Sequence, residues 1–282
     1  YKRQTLHFAL MALPDFFSFA RGELLKRGFL DLLAMNPELV KRAVRLREIG
    51  QRIIEETGGK AIHPVSAIPG GVSKELDDEA VKRIEEWLKE GRKLWELIDE
   101  EVREVVEEGA RKGTAFEVLE TKYMGLVKKG NHEFYEGDIR VVDSRGVDFI
   151  FPVEEYEDRI EERVEKWISA KLPYLREFGW PEGIYRVGPL ARFNVADSMG
   201  GDLAREKFDD FKRSYGRVVN ETLLYNLARW IEVVRAIERG LEILSEVDVR
   251  GGPHAQEWSE PRAGEGVAVI EAPRGTLIHH YK

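Results

Sequence analysis

The residues best suited to chemistry lie near the end of the chain, in Glu271-Ala272-Pro273-Arg274-Gly275, with His279-His280 just beyond. Proline fixes the backbone before the arginine, and glycine lets the chain turn directly after it. A guanidinium held this way stays charged and offers five donors in a flat fork. That suits a bound anion or a developing negative charge. If buried, it needs a carboxylate or an anionic ligand beside it. Asp15 follows Pro14 between two apolar runs, where a lone charge is costly, and is the acid chosen to partner Arg274. Read from the residues alone, Arg274 fits a structural salt bridge as well as a functional site. Asp15 fits a helix cap equally well.

Other candidates say less. His7 sits in the apolar segment before Asp15 and by itself reads as a core histidine. His63-Pro64 with Pro69-Gly70-Gly71 makes a rigid loop whose histidine could face a cavity, though a plain turn explains it equally. The glycine count fits no phosphate-binding loop. Glu271 opens the terminal motif. His279 and His280 point to opposite faces of any strand that holds both, so they make no two-ligand site by themselves. His132 and His254 receive no role.

The 282 residues include no cysteine, so within this chain there is no disulfide, thiolate chemistry or cysteine-ligated metal. Net charge is -8 and no basic stripe is present, which argues against a nucleic-acid binder. No apolar stretch approaches the roughly 18 residues of a membrane span, and no signal peptide is visible. Abundant Glu, Lys and Arg with few Met hint at heat adaptation. The chain lacks a starting methionine, residues 5–13 read as a helix already under way, and the sequence stops soon after a strand at 266–272. These ends suggest a piece of a longer polypeptide.

The elements that must position these residues read as mainly α, a multi-helix bundle with a small antiparallel β insert at about 132–151. Residues 6–13 read as a buried helix interrupted by Pro14-Asp15. Asn36-Pro37-Glu38 is a cap with proline in the first turn, opening a helix to about Thr57 that Gly58-Gly59 ends. Residues 60–73 read as loop. Asp77 or Asp78 caps a long helix ending near Gly109 or Gly113. Strands are predicted at 134–135, 139–142 and 147–151. Residues 156–172 read as helix, 179–194 as a crossover, and 203–215 and 218–240 as helices, the latter extending over 241–247. Gly251-Gly252-Pro253 opens a loop, and 267–270 is a short strand. The whole is read as one domain over 1–282.

Three stretches occur in an order that carries a resemblance: Leu6-His7-Phe8-Ala9-Leu10-Met11-Ala12-Leu13-Pro14-Asp15, then Ile62-His63-Pro64-Val65-Ser66-Ala67-Ile68-Pro69-Gly70-Gly71-Val72, then 271–281. The chain resembles the large, catalytic subunit of NiFe hydrogenases, nearest the cytoplasmic multimeric branch of archaea and bacteria. The resemblance implies a helical body and a Ni–Fe(CN)2(CO) centre. That centre is held by four cysteines in two Cys-x-x-Cys pairs, near an interface with an iron–sulfur small subunit. It implies reversible cleavage of H2 into protons and electrons. Further electron-transfer subunits (flavin/nicotinamide, F420 or heterodisulfide-linked) and maturation proteins are implied as partners.

Carried onto this sequence, Arg274 would hang over the open side of the metal pair, with Asp15 orienting it. Pro273 would line the pocket of the diatomic ligands. His7 and His63 would support the surroundings, and Glu271 would serve structure. Fixed positive charge there would favour heterolysis of H2. Both cysteine pairs and the family's proton-relay glutamate are missing. Truncation accounts for all three, and the chain alone is expected to bind no metal and to be inactive. The rival reading is a cysteine-free structural or energy-coupling relative, as in respiratory complex I. A helical scaffold whose Arg274 makes only a salt bridge is the third. An Arg274 side chain pointing into bulk water would count against the first reading.

Overall fold

The computed structural model describes residues 2–23, 25–68, 71–72, 75–113, 118–246, 249, 260 and 262–282. Pro69, Gly70, Ser73, Val247, His254 and the Gly251-Gly252-Pro253 loop lie outside the described residues. The chain divides into two compact units. One holds Tyr1–Gly113, Gly201–Ala204 and Arg229–Arg262; the other holds Thr114–Gly200, Arg205–Ala228 and Ala263–Lys282.

The first unit is built on helices. It opens with α1 (Lys2–Thr5), a π-helical stretch (Leu6–Ala12) and α2 (Leu13–Arg21). Pro14 was expected to interrupt this run and does not. It occupies the first turn of α2, where a missing N–H and a fixed φ do no harm. Gly22, at φ 72°, ends the run. After α3 (Phe29–Met35), Asn36 caps α4 (Pro37–Gly58) by accepting from Leu39 N at 3.1 Å. A short antiparallel pair follows, β1 (Ala67–Ile68) with β2 (Gly71–Val72). Asp77 then caps α5 (Asp78–Gly113), accepting from Ala80 N at 2.7 Å. The core of this unit centres on three stacked rings. Trp230 lies 4.6 Å from Phe8 and 5.2 Å from Trp95, centroid to centroid. Both indole N–H groups are satisfied: Trp95 donates to Trp230 O at 3.0 Å and Trp230 to Asp99 at 3.1 Å. A polar tip that keeps a partner lets an indole be buried without a desolvation penalty.

The second unit carries most of the strand. Its sheet runs β4 (Asn131–His132), β3 (Lys122–Lys128), β5 (Asp138–Val142), β6 (Asp148–Phe151), with β9 (Tyr185–Arg186) parallel to β3. Residues 123–127 are buried without a break, because both faces of β3 are covered. Met124 and Leu126 join Ile139, Val141 and Phe151, while Tyr123 and Val127 meet Ala191 and Val195 of α7 (Pro189–Val195). Gly125 lies under that helix; a Cβ there would stand 3.0 Å from Val195 Cγ2 and 3.3 Å from Arg192 Cα. The remaining helices are α6 (Tyr156–Arg159), α8 (Leu203–Tyr215) and α9 (Leu224–Glu246).

The expected mainly helical bundle with a small insert needs correction: the fold is mixed α/β. The sheet begins at Lys122, not near 132, and the strand expected at 134–135 lies instead at Asn131–His132. Residues 156–172, read as a helix, contain only one helical turn. They pass into β7 (Ile160–Arg163), which pairs with β8 (Leu172–Leu175). Glu- and Arg-rich residues favour helix locally, but cross-strand pairing and the burial of Leu175 override that preference here. The 179–194 crossover ends in α7. The strand read from the alternation at 266–272 runs over Gly266–Ala272, beyond the shorter 267–270 core.

Candidate functional site

The terminal motif folds as a hairpin of β10 (Gly266–Ala272) and β11 (Gly275–Tyr281). Ala272 is opposite Gly275, so Pro273-Arg274 forms the two-residue turn between them. Glu271 N donates to Phe134 O at 2.7 Å, which ties the hairpin to the rest of its unit.

Behind the turn is a fully buried ion pair. Arg192 Nη1 donates to Glu271 Oε2 at 2.8 Å, and neither side chain has any exposure. Glu271 Oε1 also accepts from Leu126 N at 3.0 Å and from Thr276 Oγ1 at 2.8 Å. Arg192 gives a second bond, at 3.1 Å, to Ala272 O. Its guanidinium lies over the Phe134 ring at 5.8 Å. Burial pushes the Glu271 carboxyl above its usual range, against the opposing pull of Arg192, Thr276 and Leu126.

Two glycines let the turn sit close to neighbouring backbone. A Cβ on Gly188, at φ 99°, would stand 2.8 Å from Arg274 O, and one on Gly275, at φ 154°, would stand 2.2 Å from Val187 Cγ2. Substitution at either position would displace the turn.

The predicted residues fall as follows. Arg274 is exposed at the hairpin tip, and among the described residues its guanidinium has no acidic partner; Pro273 is half-buried. Asp15 is half-buried, and its Oδ1 accepts from Arg27 Nε at 2.8 Å. The structure therefore gives Asp15 an arginine partner other than the one expected, and that contact holds the Arg27 pKa above its usual value. His7 is half-buried in the π-helical stretch, whereas His63 is exposed at φ 51°. Glu271, expected to be structural, is the most engaged member of the motif.

Arg192 was missed. Its signal was a lone charge in the apolar run Pro189-Leu190-Ala191-Arg192-Phe193, which requires a buried counter-charge. The terminal histidines separate as expected. His279 Nδ1 lies 2.7 Å from Tyr281 OH, while His280 bonds Tyr156 OH at 2.6 Å and Glu265 at 2.5 Å. Among the described residues, Glu157, Glu265 and His280 form one group with metal-ligand spacing, but the Lys282 ammonium already lies 3.3 Å from Glu265.

The site is thus a guanidinium fork on a rigid turn, without an acidic partner among the described residues, backed by a buried ion pair. The fork can donate hydrogen bonds to an anionic group. The chain has no thiolate with which to ligate a soft metal, so what it fits is the surroundings of such a centre and not its ligand set.

The fold is that of the large subunit of NiFe hydrogenases. The crystal structure of an NAD+-reducing NiFe hydrogenase in the H2-reduced state matches with a TM-score of 0.89 at 34% identity, covering 100% of this chain and 63% of that one. A polypeptide of the vhu F420-non-reducing hydrogenase of Methanococcus voltae is 38% identical over 286 residues, covering 99% of this chain and 66% of that protein. The beta subunit of the NAD-reducing hydrogenase HoxS of Cupriavidus necator is 35% identical over 278 residues, covering 91% of this chain and 55% of that protein. No family model matches. The chain belongs to the NiFe hydrogenase large-subunit family. It spans 66% or less of the length of these curated relatives.

Proposed function

We propose that this chain forms part of the catalytic subunit of a NiFe hydrogenase, which oxidises H2 reversibly and passes electrons to an iron–sulfur partner subunit. One observation carries the reading: the chain belongs to the NiFe hydrogenase large-subunit family over nearly its whole length, and its terminal motif forms a two-residue turn at Pro273-Arg274 backed by a buried ion pair. When bound, a Ni–Fe centre with cyanide and carbon monoxide ligands supplies the polarising and electron-accepting chemistry. Its thiolates must come from residues outside these 282, since the chain has none.

The chain's own part is positioning and charge. Arg274 would donate hydrogen bonds to the centre's anionic ligands and supply fixed positive charge beside it. Such preorganised charge is worth most where water is excluded. Pro273 gives that pocket an apolar, rigid wall. Asp15, whose Oδ1 accepts from Arg27, is assigned by the family resemblance the part of orienting Arg274. His7 and His63 are assigned supporting positions around them. The complete protein is proposed to work in the cytoplasm with further electron-transfer subunits. No described helix is long and apolar enough to cross a membrane.

The test is Arg274→Lys in the complete protein with its small partner. Lysine keeps the charge but lacks the planar fork. Nickel and iron content should match the parent, while H2 uptake falls by about 100-fold or more, the scale for losing one preorganised donor. Near-parental turnover at full metal content would refute the role of Arg274.

A further inference from the structure

We infer that Glu271 and Arg192 are positioning residues for Arg274: together they fix the backbone on both sides of the turn, so that only the arginine side chain remains to be set. That Arg274 acts on H2 rests on the reading above; that these two groups hold its backbone does not.

Stability alone is a poor reason for this pair. A buried ion pair is often no more stabilising than two apolar side chains of the same volume, whereas its bonds are directional. Those bonds converge from separate elements onto the strand ends beside the turn. In β3, Leu126 has Ile139 of β5 opposite it, and its N–H points to the Glu271 carboxylate. That bond takes the place of one a neighbouring strand would make, since β4 meets β3 only at Val127–Lys128 and β9 only at Lys122–Tyr123.

Thr276, opposite Glu271 across the hairpin, donates to the same oxygen. Arg192 then reaches past the carboxylate to Ala272 O. This fixes the peptide plane entering Pro273, whose own φ is fixed by its ring. On the far side, Gly275 rests against Val187, and Gly188 leaves room for Arg274 O. Both flanks of the turn are thereby held by the same unit that carries Arg192.

The test uses the complete protein and three variants: Glu271→Gln, Arg192→Lys and the milder Thr276→Val, which should fold even if the others do not. The readouts are amide hydrogen exchange at Arg274, Gly275 and Thr276, exchange across β3, β5 and β6, and H2 turnover per bound metal. A hydrogen bond to a charged group is worth about 1.5–3 kcal/mol, which converts to roughly 10- to 100-fold faster exchange at the turn for the two charge variants. Thr276→Val removes a single bond to the same carboxylate and should fall at the low end of that range, about 10-fold. Turnover should fall in the same order.

Faster exchange spread evenly over the sheet would overturn the inference, because the pair would then be a general stabiliser. Unchanged exchange at the turn in Thr276→Val together with Glu271→Gln would overturn it as well. Faster exchange confined to the turn with undiminished turnover would uphold the anchoring and refute the catalytic reading of Arg274.

Discussion

Substituting Gly275 with alanine perturbs the site at its tightest point. The added Cβ would lie 2.2 Å from Val187 Cγ2 and 2.7 Å from Val187 Cβ, distances that force something to move. Valine cannot yield easily, because branching at Cβ leaves it few rotamers. Overpacking of this kind costs about 1–3 kcal/mol. The backbone adds a separate cost: at φ 154° an L-residue is strained, by about 1–3 kcal/mol. Gly275→Ala should therefore destabilise the second unit by about 2–6 kcal/mol, summing these two terms.

The assay is urea denaturation, with hydrogen exchange in β10 and β11 to assign the transition. Repeating it in a Val187→Ala background separates the terms. The steric part should shrink, because Val187→Ala removes Cγ2 but keeps the Cβ 2.7 Å away, and the φ part should remain, leaving a coupling energy of about 1–2 kcal/mol. Equal costs in the two backgrounds, or a cost below about 1 kcal/mol in the parent, would refute the claim that Val187 and the turn are in close contact.

Other consequences can be measured independently. The Lys212 ammonium donates to Arg217 O at 2.7 Å and has its pKa pushed down to about 8, first by burial and then by Arg217. The folded protein thus binds this proton less tightly than the unfolded chain does. The associated stability is present above the ordinary lysine range and lost as pH falls through about 8; Lys212→Met should flatten denaturation midpoints between roughly pH 8 and 10.

Asp148 is held at about 2, chiefly by its bond from Arg140 and further by Arg217, against the opposing effect of burial. Its contribution is present above the ordinary aspartate range and lost as pH falls towards about 2, and Asp148→Asn should remove that step from an acid-unfolding titration. Asn36→Ala removes the α4 cap and should cost the first unit about 1 kcal/mol in denaturant unfolding.

Local signals explain what the sequence revealed. The cap at Asn36, the proline after it, Asp77 before α5 and Gly59 after α4 each act within a few residues, and the helices begin and end where these dictate. The terminal motif was legible because its order is distinctive, as was the alternation of His279 and His280. Strand β3 was missed for a physical reason. Covered on both faces, it shows no period of two, and Gly125 weakens its strand character further. The Arg192–Glu271 pair was missed because its members are 79 residues apart. Asp15 shows the same limit from the other side. An acid in an apolar run announces that it needs a partner but not which one, and Arg27, 12 residues away, answered before Arg274.

The aromatic stack gives the first unit an optical signature of its own. Trp95 and Trp230 are 0% and 1% exposed and lie face to face, whereas Trp167 of the second unit is 76% exposed. Indoles shielded from water emit at shorter wavelength than wetted ones. A blue component that shifts red on unfolding therefore comes chiefly from the Phe8–Trp230–Trp95 stack, Trp167 adds a nearly constant red background, and the half-buried Trp87 and Trp180 emit between the two. Melting of the stack can be followed by that colour change in the unlabelled protein, and Trp180, which lines a cavity with Thr276, Ile278 and His280, would report on the hairpin side of the second unit.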